Sequence, residues 1–438
     1  MSARSTHALR LASLPTTRSG WWRLATLLAG AWLWQPSVAD TVAFTHATLH
    51  TQAAAGTLTD ANLIITDGVI TAMGHMPPPA GAREINLNGQ IITPALFGGL
   101  AEFGVREVDA ESQTDDSTLH SGSVRPEFDP SLAFNPESTA LSVAKVEGIG
   151  FGVITPGAGF SRRGESMGSI ISGQAAIARF DGREARGPRI LSVHLGRTGA
   201  GLAGGSRAAT FMWLEQIFDE ALSTAKPSEE NKLLTPQGKR VIKQLLERQG
   251  TVLVYVNRAT EIRAAVTYFK TRKLHPIIVG GAEAWRVASL LAAQNVPVIL
   301  DPLVDLPESF DQIGSTLDNA ARLHQAHVTI AFSLTAEDQA MARKLRQAAG
   351  NAVAHGLDWS TAFAAISSTP AQIFGVETEY GHLGVGQRAN LVVWSGDPLE
   401  LSSQVKAVWL DGHAEDLTTR QTLLRDRYLA KVKAHQAR

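Results

Sequence analysis

Short apolar and polar runs alternate at the start of the chain. Between residues 41 and 92, apolar runs are separated by turn residues, and Asp67-Gly68 joins two of them, at 62–66 and 69–73. An Asp-Gly pair between such runs is typical of a two-residue β-hairpin. Another strand is predicted near residues 85–87. The pattern predicts a small β domain.

From residue 94 to about residue 376 the pattern changes to continuous apolar runs alternating with amphipathic helices. The runs are typical of parallel strands that are buried on both faces. They lie at residues 153–155, 189–193, 252–256, 276–279, 296–300 and 328–332, and helices are predicted at 261–271 and 284–294. Repeated βα units of this length predict an α/β fold, a (β/α)8 TIM barrel, although a doubly wound open sheet gives a similar alternation. A long polar loop is predicted at residues 109–136.

Strand patterns return after the barrel, at residues 389–394 and 405–410, with Asp411-Gly412 as a second hairpin turn. We therefore predict a small composite β-sandwich domain built from both termini, from residues 40–93 and 381–415, around a barrel at 94–380. Residues 416–438 are strongly charged and predict a solvated C-terminal helix packed on the small domain.

The first 39 residues have the pattern of a signal peptide. Arg4, Arg10, Arg18 and Arg23 precede or open an apolar run at 24–34, and small residues end at Ala39, where cleavage is predicted. The run is shorter than the roughly 20 residues that span a bilayer, so no membrane span is expected after cleavage. An uncleaved anchor is the alternative. A cleaved signal predicts a periplasmic or secreted protein.

Composition narrows the chemistry. Hydrophobic residues make up 44% of the chain and charged residues 18%, as in soluble globular proteins. With 40 basic and 41 acidic residues, nothing in the charge balance points to nucleic acid as a partner. The chain has no cysteine, so disulfides and thiolate metal sites are excluded. Any metal would need histidine, carboxylate or modified lysine ligands.

Several motifs occur in an order that resembles a known family. Residues 67–74 (DGVITAMG) resemble its "DGRIVAVG" hairpin, and 88–97 resemble "GRTVTPGLID". Residues 368–375, 381–399 and 405–412 resemble "TxNPAxxLG", "GSLEPGKDADLVVWDGDPL" and "VxAVWxDG". Together they resemble the amidohydrolase superfamily, near its secreted imidazolonepropionase-like and dihydroorotase-like members. The resemblance implies a TIM barrel and metal-dependent hydrolysis of C–N bonds at the carboxyl ends of the strands.

The positions that would hold the family's metal depart from its pattern. A His-x-His pair follows "PGLID" in the family, and here Leu100 and Glu102 stand in those places. Asn257 and Gly280 stand where strands 5 and 6 carry histidines, and Leu334 lies near the place of the strand 8 aspartate. Zinc sites tolerate few missing ligands. We therefore predict no metal cofactor. The alternative is a site for zinc or another divalent metal that is built differently.

Five polar residues are candidates for the pocket at the barrel mouth: Glu102, His194, Tyr255, Asn257 and Glu283. Glu102 would bind a cation or act as a base, or it pairs with Arg106 in a structural ion pair. The others would hydrogen-bond a polar ligand, while a histidine at a strand end is more often a structural residue.

Two further segments resemble the secreted subfamily. Residues 168–175 resemble its "GxLISGQxA" loop, where glycines are expected to shape turns. Ser206 is a predicted helix N-cap, and Arg207 is predicted to be solvated or ion-paired.

The leading hypothesis is a non-catalytic homologue that binds a small molecule at the barrel mouth, or that forms a homo-oligomer or a hetero-oligomer with an active paralogue. The alternative is an active hydrolase of cyclic or peptide-like amides, with a site rebuilt around Glu102 and His194. A third hypothesis is an interaction protein whose barrel mouth is plugged by apolar side chains such as Leu100 and Leu334.

Overall fold

The structure is a computed structural model that describes residues 40–108, 111–121, 123–162, 165–224, 232–334 and 339–436. The predicted signal peptide and its cleavage site at Ala39 lie outside these ranges. Within them, no helix is both long enough and apolar enough to cross a membrane.

Strands occupy both ends and the middle of the chain. They are β1 Thr41–His50, β2 Thr57–Thr66, β3 Val69–Gly74, β4 Arg83–Asn86, β5 Ile91–Pro94, β6 Leu96–Ala101, β7 Ile149–Ile154, β8 Gly159–Arg162, β9 Glu165–Gly168, β10 Ile171–Arg179, β11 Arg186–His194, β12 Thr251–Val256, β13 His275–Gly280, β14 Val298–Leu300, β15 Ile330–Phe332, β16 Leu391–Trp394, β17 Val405–Leu410 and β18 His413–Ala414.

Helices lie mainly between and after the barrel strands. They are α1 Thr139–Lys145, α2 Gly196–Leu202, α3 Arg207–Leu222, α4 Pro236–Glu247, α5 Ala259–Thr271, α6 Ala288–Ala293, α7 Asn319–Gln325, α8 Leu345–Ala354, α9 Trp359–Ala364, α10 Ser368–Ile373 and α11 Arg420–Gln436. Short 3-10 helices lie at Ser112–Thr114, Pro130–Ala133, Ala284–Val287 and Gln339–Lys344. The two that fall in residues 109–136 are the only regular helices in the described part of the predicted long loop.

Strands from both ends of the chain form one sheet, as the resemblance and the strand pattern predicted. Its order is β18-β17-β16-β5-β1-β2-β3, with β4 pairing β1. One hydrophobic cluster joins the two halves, with Phe44 and Leu63 from the start of the chain and Leu391 and Trp409 from the end. Phe44 and Trp409 meet edge to face at 5.2 Å between ring centroids. The small domain is therefore a single hydrogen-bonded unit.

The two Asp-Gly turns of this sheet meet each other. Positive φ angles at Asp67, Gly68, Asp411 and Gly412 fit the predicted hairpin turns, which need this backbone conformation. The turns are so close that a Cβ on Gly412 would overlap the Cα of Gly68. Arg388 lies beside them and pairs with Asp411. Glycine is required at Gly412 by both its φ angle and this contact.

The second large sheet is a nearly closed eight-stranded barrel, in the order β15-β14-β13-β12-β11-β10-β7-β6. All six predicted parallel strands are present and run in one direction. The predicted loop at residues 168–175 is wrong, because most of it belongs to β10, which lies antiparallel to β7 and β11. Gly173 has a φ of 135° in this strand, and a Cβ there would lie 2.5 Å from the carbonyl oxygen of Phe128. The glycine permits close packing within a strand.

The C-terminal helix forms where it was predicted and is solvated, as predicted, but its predicted packing on the small domain is wrong. In α11, all described side chains except Thr422 are exposed. The helix begins beside α1, because Glu415 pairs with Lys145 at 2.7 Å. Its apolar residues are therefore left in solvent.

The contact between the two turns gives a stability prediction. Gly412→Ala should lower the free energy of unfolding by about 2–5 kcal/mol, because an L-residue at positive φ costs about 1–2 kcal/mol and overpacking adds about 1–3. Gly386→Ala is the matched control, with a φ of 89° and nothing within 4 Å of a Cβ, and it should lose only the first part. Urea unfolding of both variants measures the difference, and equal losses would contradict a close contact.

Candidate functional site

A cavity of about 680 Å³ lies at the carboxyl ends of the barrel strands. Its walls come from β6 and from β11 through β15 together with the loops that follow them. Sequence-predicted residues in its lining are Leu100, Glu102, His194, Tyr255, Asn257, Gly280 and Leu334. This is the end of a barrel where enzymes of the fold carry their chemistry. Leu100 and Glu102, which stand in the places of the family's His-x-His pair, both line this cavity.

Leu100 lies at the seam between the first and last barrel strands. Its backbone N–H donates to Ser333 Oγ at 2.9 Å. The preceding Gly99 has a φ of 91°, and a Cβ on it would lie 2.8 Å from the same hydroxyl oxygen. The hydroxyl of Ser333 therefore fills the space beside Gly99, and the apolar side chain of Leu100 faces the cavity.

Glu102 is 5% exposed and pairs with Arg106. Ser117 Oγ donates to its carboxylate at 3.3 Å. Burial raises the pKa of the Glu102 carboxyl above its usual range, and the hydrogen bond and charge of Arg106 oppose this shift. The structure shows the ion pair that was one of the two interpretations of this residue. Its carboxylate already has a charged partner.

His194 is 3% exposed at the end of β11. Its Nε2 lies 3.0 Å from Ser172 Oγ, and its ring stacks on Tyr255 with centroids 4.3 Å apart. Burial lowers the pKa of His194 to about 3. The imidazole is therefore neutral at pH 7, and one of its nitrogens is engaged by a serine.

Asn257 binds the backbone of its own surroundings. Its Oδ1 accepts from Ala282 N at 3.2 Å. Gly280 has a φ of 92°, and a Cβ there would lie 2.6 Å from Asn257 Oδ1. The amide therefore fills the space that a side chain at position 280 would need.

Glu283 does not lie in the cavity lining, although it was a candidate pocket residue. Its carboxylate accepts from Ala259 N at 3.1 Å and from Gly314 N at 3.0 Å. Ala259 is the first residue of α5, where unpaired N–H groups and the helix dipole favour a negative charge. The carboxylate of Glu283 therefore connects the start of α5 to the loop after β14.

Several cavity residues were missed by sequence reasoning. Asp301 directly follows β14 and lines the cavity, as does Asp311 farther along the same loop. Asp311 is 3% exposed, accepts from Arg197 N at 2.6 Å and pairs with Arg207. Asp301 could have been predicted from its place at the end of a barrel strand. Asp311 could not, because no local sequence pattern indicates that it approaches α2.

Arg207 forms the ion pair that was one of its two predicted states, with Glu261 at 3.2 Å as a further partner. Ser206 is the N-cap of α3, as predicted, but its side chain forms no capping hydrogen bond.

The donor set does not fit the family's zinc. In the part of the chain that the structure describes, no three histidine, aspartate or glutamate side chains are arranged to hold a metal ion. Leu100, Gly280 and Leu334 have no side-chain donor, and Glu102 and Asn257 are engaged with other partners. A hydrolytic zinc needs three protein ligands and an open position for water.

The neutral state of His194 gives a pH prediction. The unfolded state takes up a proton at this residue near its ordinary pKa of 6.5, while the folded state does so only near 3. Its contribution to stability is therefore full above about pH 6.5 and is lost as the pH falls towards 3. His194→Gln should remove this pH-dependent contribution. The free energy of unfolding of wild type should therefore fall by up to about 1.4 kcal/mol more than that of the variant for each pH unit below 6. Urea unfolding of both proteins between pH 4.5 and 7.5 measures it, and parallel pH profiles would contradict a buried neutral imidazole.

Comparison with known proteins gives short sequence matches and a longer structural one. A family model described as "Amidohydrolase family" matches residues 326–414, which run from the strand β15 region to β18. The amidohydrolase tasK of Hapsidospora irregularis is 34% identical over 61 residues, which are 14% of this chain and 6% of that protein. The match thus spans a small part of that much longer relative.

Solved structures resemble the chain over most of its length. An amidohydrolase from Thermotoga maritima has a TM-score of 0.75 at 20% identity, covering 86% of this chain and 99% of that one. A prolidase in complex with N-methylphosphonate-L-proline has a TM-score of 0.51 at 13% identity, covering 86% and 99%. At these identities the likeness shows a shared fold.

Proposed function

We propose that this chain, which belongs to the amidohydrolase superfamily, binds a small molecule at the mouth of its barrel and does not carry out metal-dependent hydrolysis of C–N bonds. The observation that carries the proposal is the state of the side chains at the ligand positions. Three of them offer no donor atom, and the two polar ones, Glu102 and Asn257, are already bound to protein groups.

Coordination chemistry connects this observation to activity. In metal-dependent hydrolases the ion lowers the pKa of its bound water, so that hydroxide exists at neutral pH, and it polarises the scissile carbonyl. The protein must supply histidine or carboxylate ligands from several strands at once. Leu100 on β6 and Gly280 on β13 leave two of the family's ligand positions without a donor atom.

The backbone at Gly280 supports the same proposal. Its φ of 92° is a conformation that L side chains rarely adopt, and Asn257 Oδ1 occupies the place of a Cβ. A histidine at position 280 would be strained and would clash, so the site departs from the family pattern in its main chain as well as in its side chains.

The cavity itself supports ligand binding over a plugged barrel. Its volume of about 680 Å³ lies within the range of about 300–1,000 Å³ that is usual for small-molecule sites. Leu100 and Leu334 line it without filling it. Apolar side chains such as Ile299 lie beside polar ones such as Tyr255 and Asp301, the mixture typical of such sites.

The proposed location is the periplasm or the exterior of the cell. It is supported by the basic segment, short apolar run and small residues that end at Ala39. Residues 40–438 would then be the mature protein. Mass spectrometry of protein purified from the periplasm tests this through the mass of its N-terminal peptide.

Metal analysis tests the proposal directly. Mature protein purified without chelator and then dialysed against zinc should retain far less than one equivalent of zinc, manganese or iron, measured by inductively coupled plasma mass spectrometry. Dihydroorotate and prolyl dipeptides should remain intact after long incubation with it. The physical reason is the shortage of free donor atoms.

Two variants separate this outcome from a rebuilt active site. If Glu102 and His194 held a catalytic ion, Glu102→Gln and His194→Gln would each lower metal content and activity together. We expect neither variant to change the low metal content. One equivalent of tightly held metal in wild type, lost on chelation together with amide hydrolysis, overturns the proposal in favour of an active hydrolase.

A further inference from the structure

Helix α11 is a basic helix with apolar side chains in solvent. Residues 420–436 include five lysine or arginine residues and one acidic residue. Five large apolar side chains are exposed there: Leu423 (61%), Leu424 (39%), Tyr428 (59%), Leu429 (46%) and Val432 (51%). An apolar set of this size on one helix marks a surface that binds something.

Three of these side chains form a stripe. Leu424, Tyr428 and Val432 are spaced four residues apart, so they lie on one face of the helix. Arg425 and Lys431 flank that stripe at helical spacing. An isolated helix of this length is marginal in water, and most helical stability in proteins comes from packing an apolar face. The stripe therefore fits a groove or platform with apolar side chains and negative charge.

The same chain has such a platform at its barrel mouth. The acidic loop, residues 301–318 between β14 and α7, has five carboxylate side chains and no lysine, arginine or histidine. It also exposes four large apolar side chains: Leu303 (40%), Leu306 (78%), Phe310 (84%) and Ile313 (62%). Its charge is thus opposite to that of α11, and both surfaces expose large apolar side chains.

The acidic loop is fixed to the barrel at several points. Asp311 binds Arg197 N and Arg207, and Gly314 N donates to Glu283 at 3.0 Å. Gly314 also accepts from Trp285 Nε1 at 2.8 Å through its carbonyl oxygen. These anchors hold the loop in place while Leu306 and Phe310 remain in solvent, so little order is lost when a partner binds.

We propose that α11 of one copy of this chain docks on the acidic loop of a second copy. The stripe of Leu424, Tyr428 and Val432 packs on the exposed apolar side chains of the loop. Arg425 and Lys431 then face carboxylates such as Asp305 and Glu308, which are exposed. Charge complementarity sets the orientation of the helix, and apolar burial supplies most of the affinity.

The fold places the two surfaces at opposite ends of one barrel. Glu415, just before α11, pairs with Lys145, which lies four residues before the start of β7. The helix therefore begins near the amino ends of the barrel strands, whereas the acidic loop follows β14 at their carboxyl ends. A six-residue strand spans about 20 Å. The apolar side chains of α11 and of the acidic loop are exposed in the same copy, so neither surface covers the other there. The proposed contact consequently joins different copies, either reciprocally about a two-fold axis or head to tail.

Docking would also affect the cavity. Glu308, Ser309 and Gln312 of the acidic loop line the barrel mouth. A helix seated on this loop borders the entrance, so association and ligand entry are coupled. This consequence depends on the proposed ligand-binding function, while the association itself does not.

The experiment is sedimentation velocity of mature protein from 1 to 100 µM, at 50 and 500 mM salt. We expect association that weakens at high salt, because the screening length of exposed charges falls from about 14 Å to about 4 Å in this range. The helix variant Leu424→Ser/Tyr428→Ser/Val432→Ser and the loop variant Leu306→Ser/Phe310→Ser should each weaken it tenfold or more. All five side chains are exposed, so folding should be unaffected, and circular dichroism and thermal unfolding check this. Leu132→Ser is the matched control, since this side chain is 86% exposed and lies outside both surfaces.

A charge exchange provides the sharper test. Arg425→Glu/Lys431→Glu should weaken association tenfold, and Asp305→Lys/Glu308→Lys should do the same. A mixture of the two variants should associate again, because the acidic helix of one variant then meets the basic loop of the other.

A chain that is monomeric at 100 µM, or whose association is unchanged by the helix and loop variants, overturns the proposal. So does a monomer whose α11 binds anionic phosphatidylglycerol vesicles, which would assign the helix to a membrane surface. Metal content and hydrolysis play no part in these readouts, so the result is independent of the proposed function.

Discussion

The barrel is held together at its mouth by the seam between β6 and β15. Leu100 N donates to Ser333 Oγ there, and Gly99 adopts a positive φ so that this hydroxyl fits beside its Cα. A strand that must place its backbone against a serine hydroxyl has little freedom to move its next side chains. Leu100 and Leu334 therefore lie on either side of the seam, at two of the places where the superfamily's chemistry needs donors. The closure of the sheet and the composition of the site are one constraint, because the same few atoms set both.

Three buried ionisable groups at the mouth each have a partner within the protein. Glu102 pairs with Arg106, His194 contacts Ser172 and remains neutral, and Asp311 binds Arg207 and a backbone N–H. A buried ionisable group without a partner costs several kcal/mol, so such pairing is what stability requires. At the mouth of this barrel, these partners stabilise the three groups around the cavity.

Local sequence signals were enough for the hairpins and the barrel strands, because an Asp-Gly turn and a continuous apolar run each have a direct backbone cause. Residues 168–175, which include the start of β10, were predicted as a loop because they resemble a loop of the secreted subfamily, in which glycines were expected to shape turns. In the structure Gly173 instead permits a close approach to Phe128, which depends on residues far away in sequence. Glu283 was misplaced for a similar reason: its position after β13 suggested the mouth, but its carboxylate satisfies N–H groups of α5 and of Gly314. The charge of α11 predicted a solvated helix, but its lack of packing on the small domain lay beyond local patterns, since a charged helix with apolar residues is equally compatible with such packing.

A substitution in the small domain and one at the barrel mouth are expected to change different properties of the protein. In the small domain, the turns at Gly68 and Gly412 are in contact, and Arg388 pairs with Asp411 beside them. A change there acts on folding. At the mouth, Leu100 and Gly280 lie in the barrel wall and border the cavity, so a change there acts on the cavity. Gly280 links the two effects, because its backbone has a conformation that a histidine would not tolerate while Asn257 holds the adjacent turn. A side chain at position 280 would therefore require the main chain at the end of β13 and the side chain of Asn257 to change together, because the amide oxygen of Asn257 occupies the place of its Cβ.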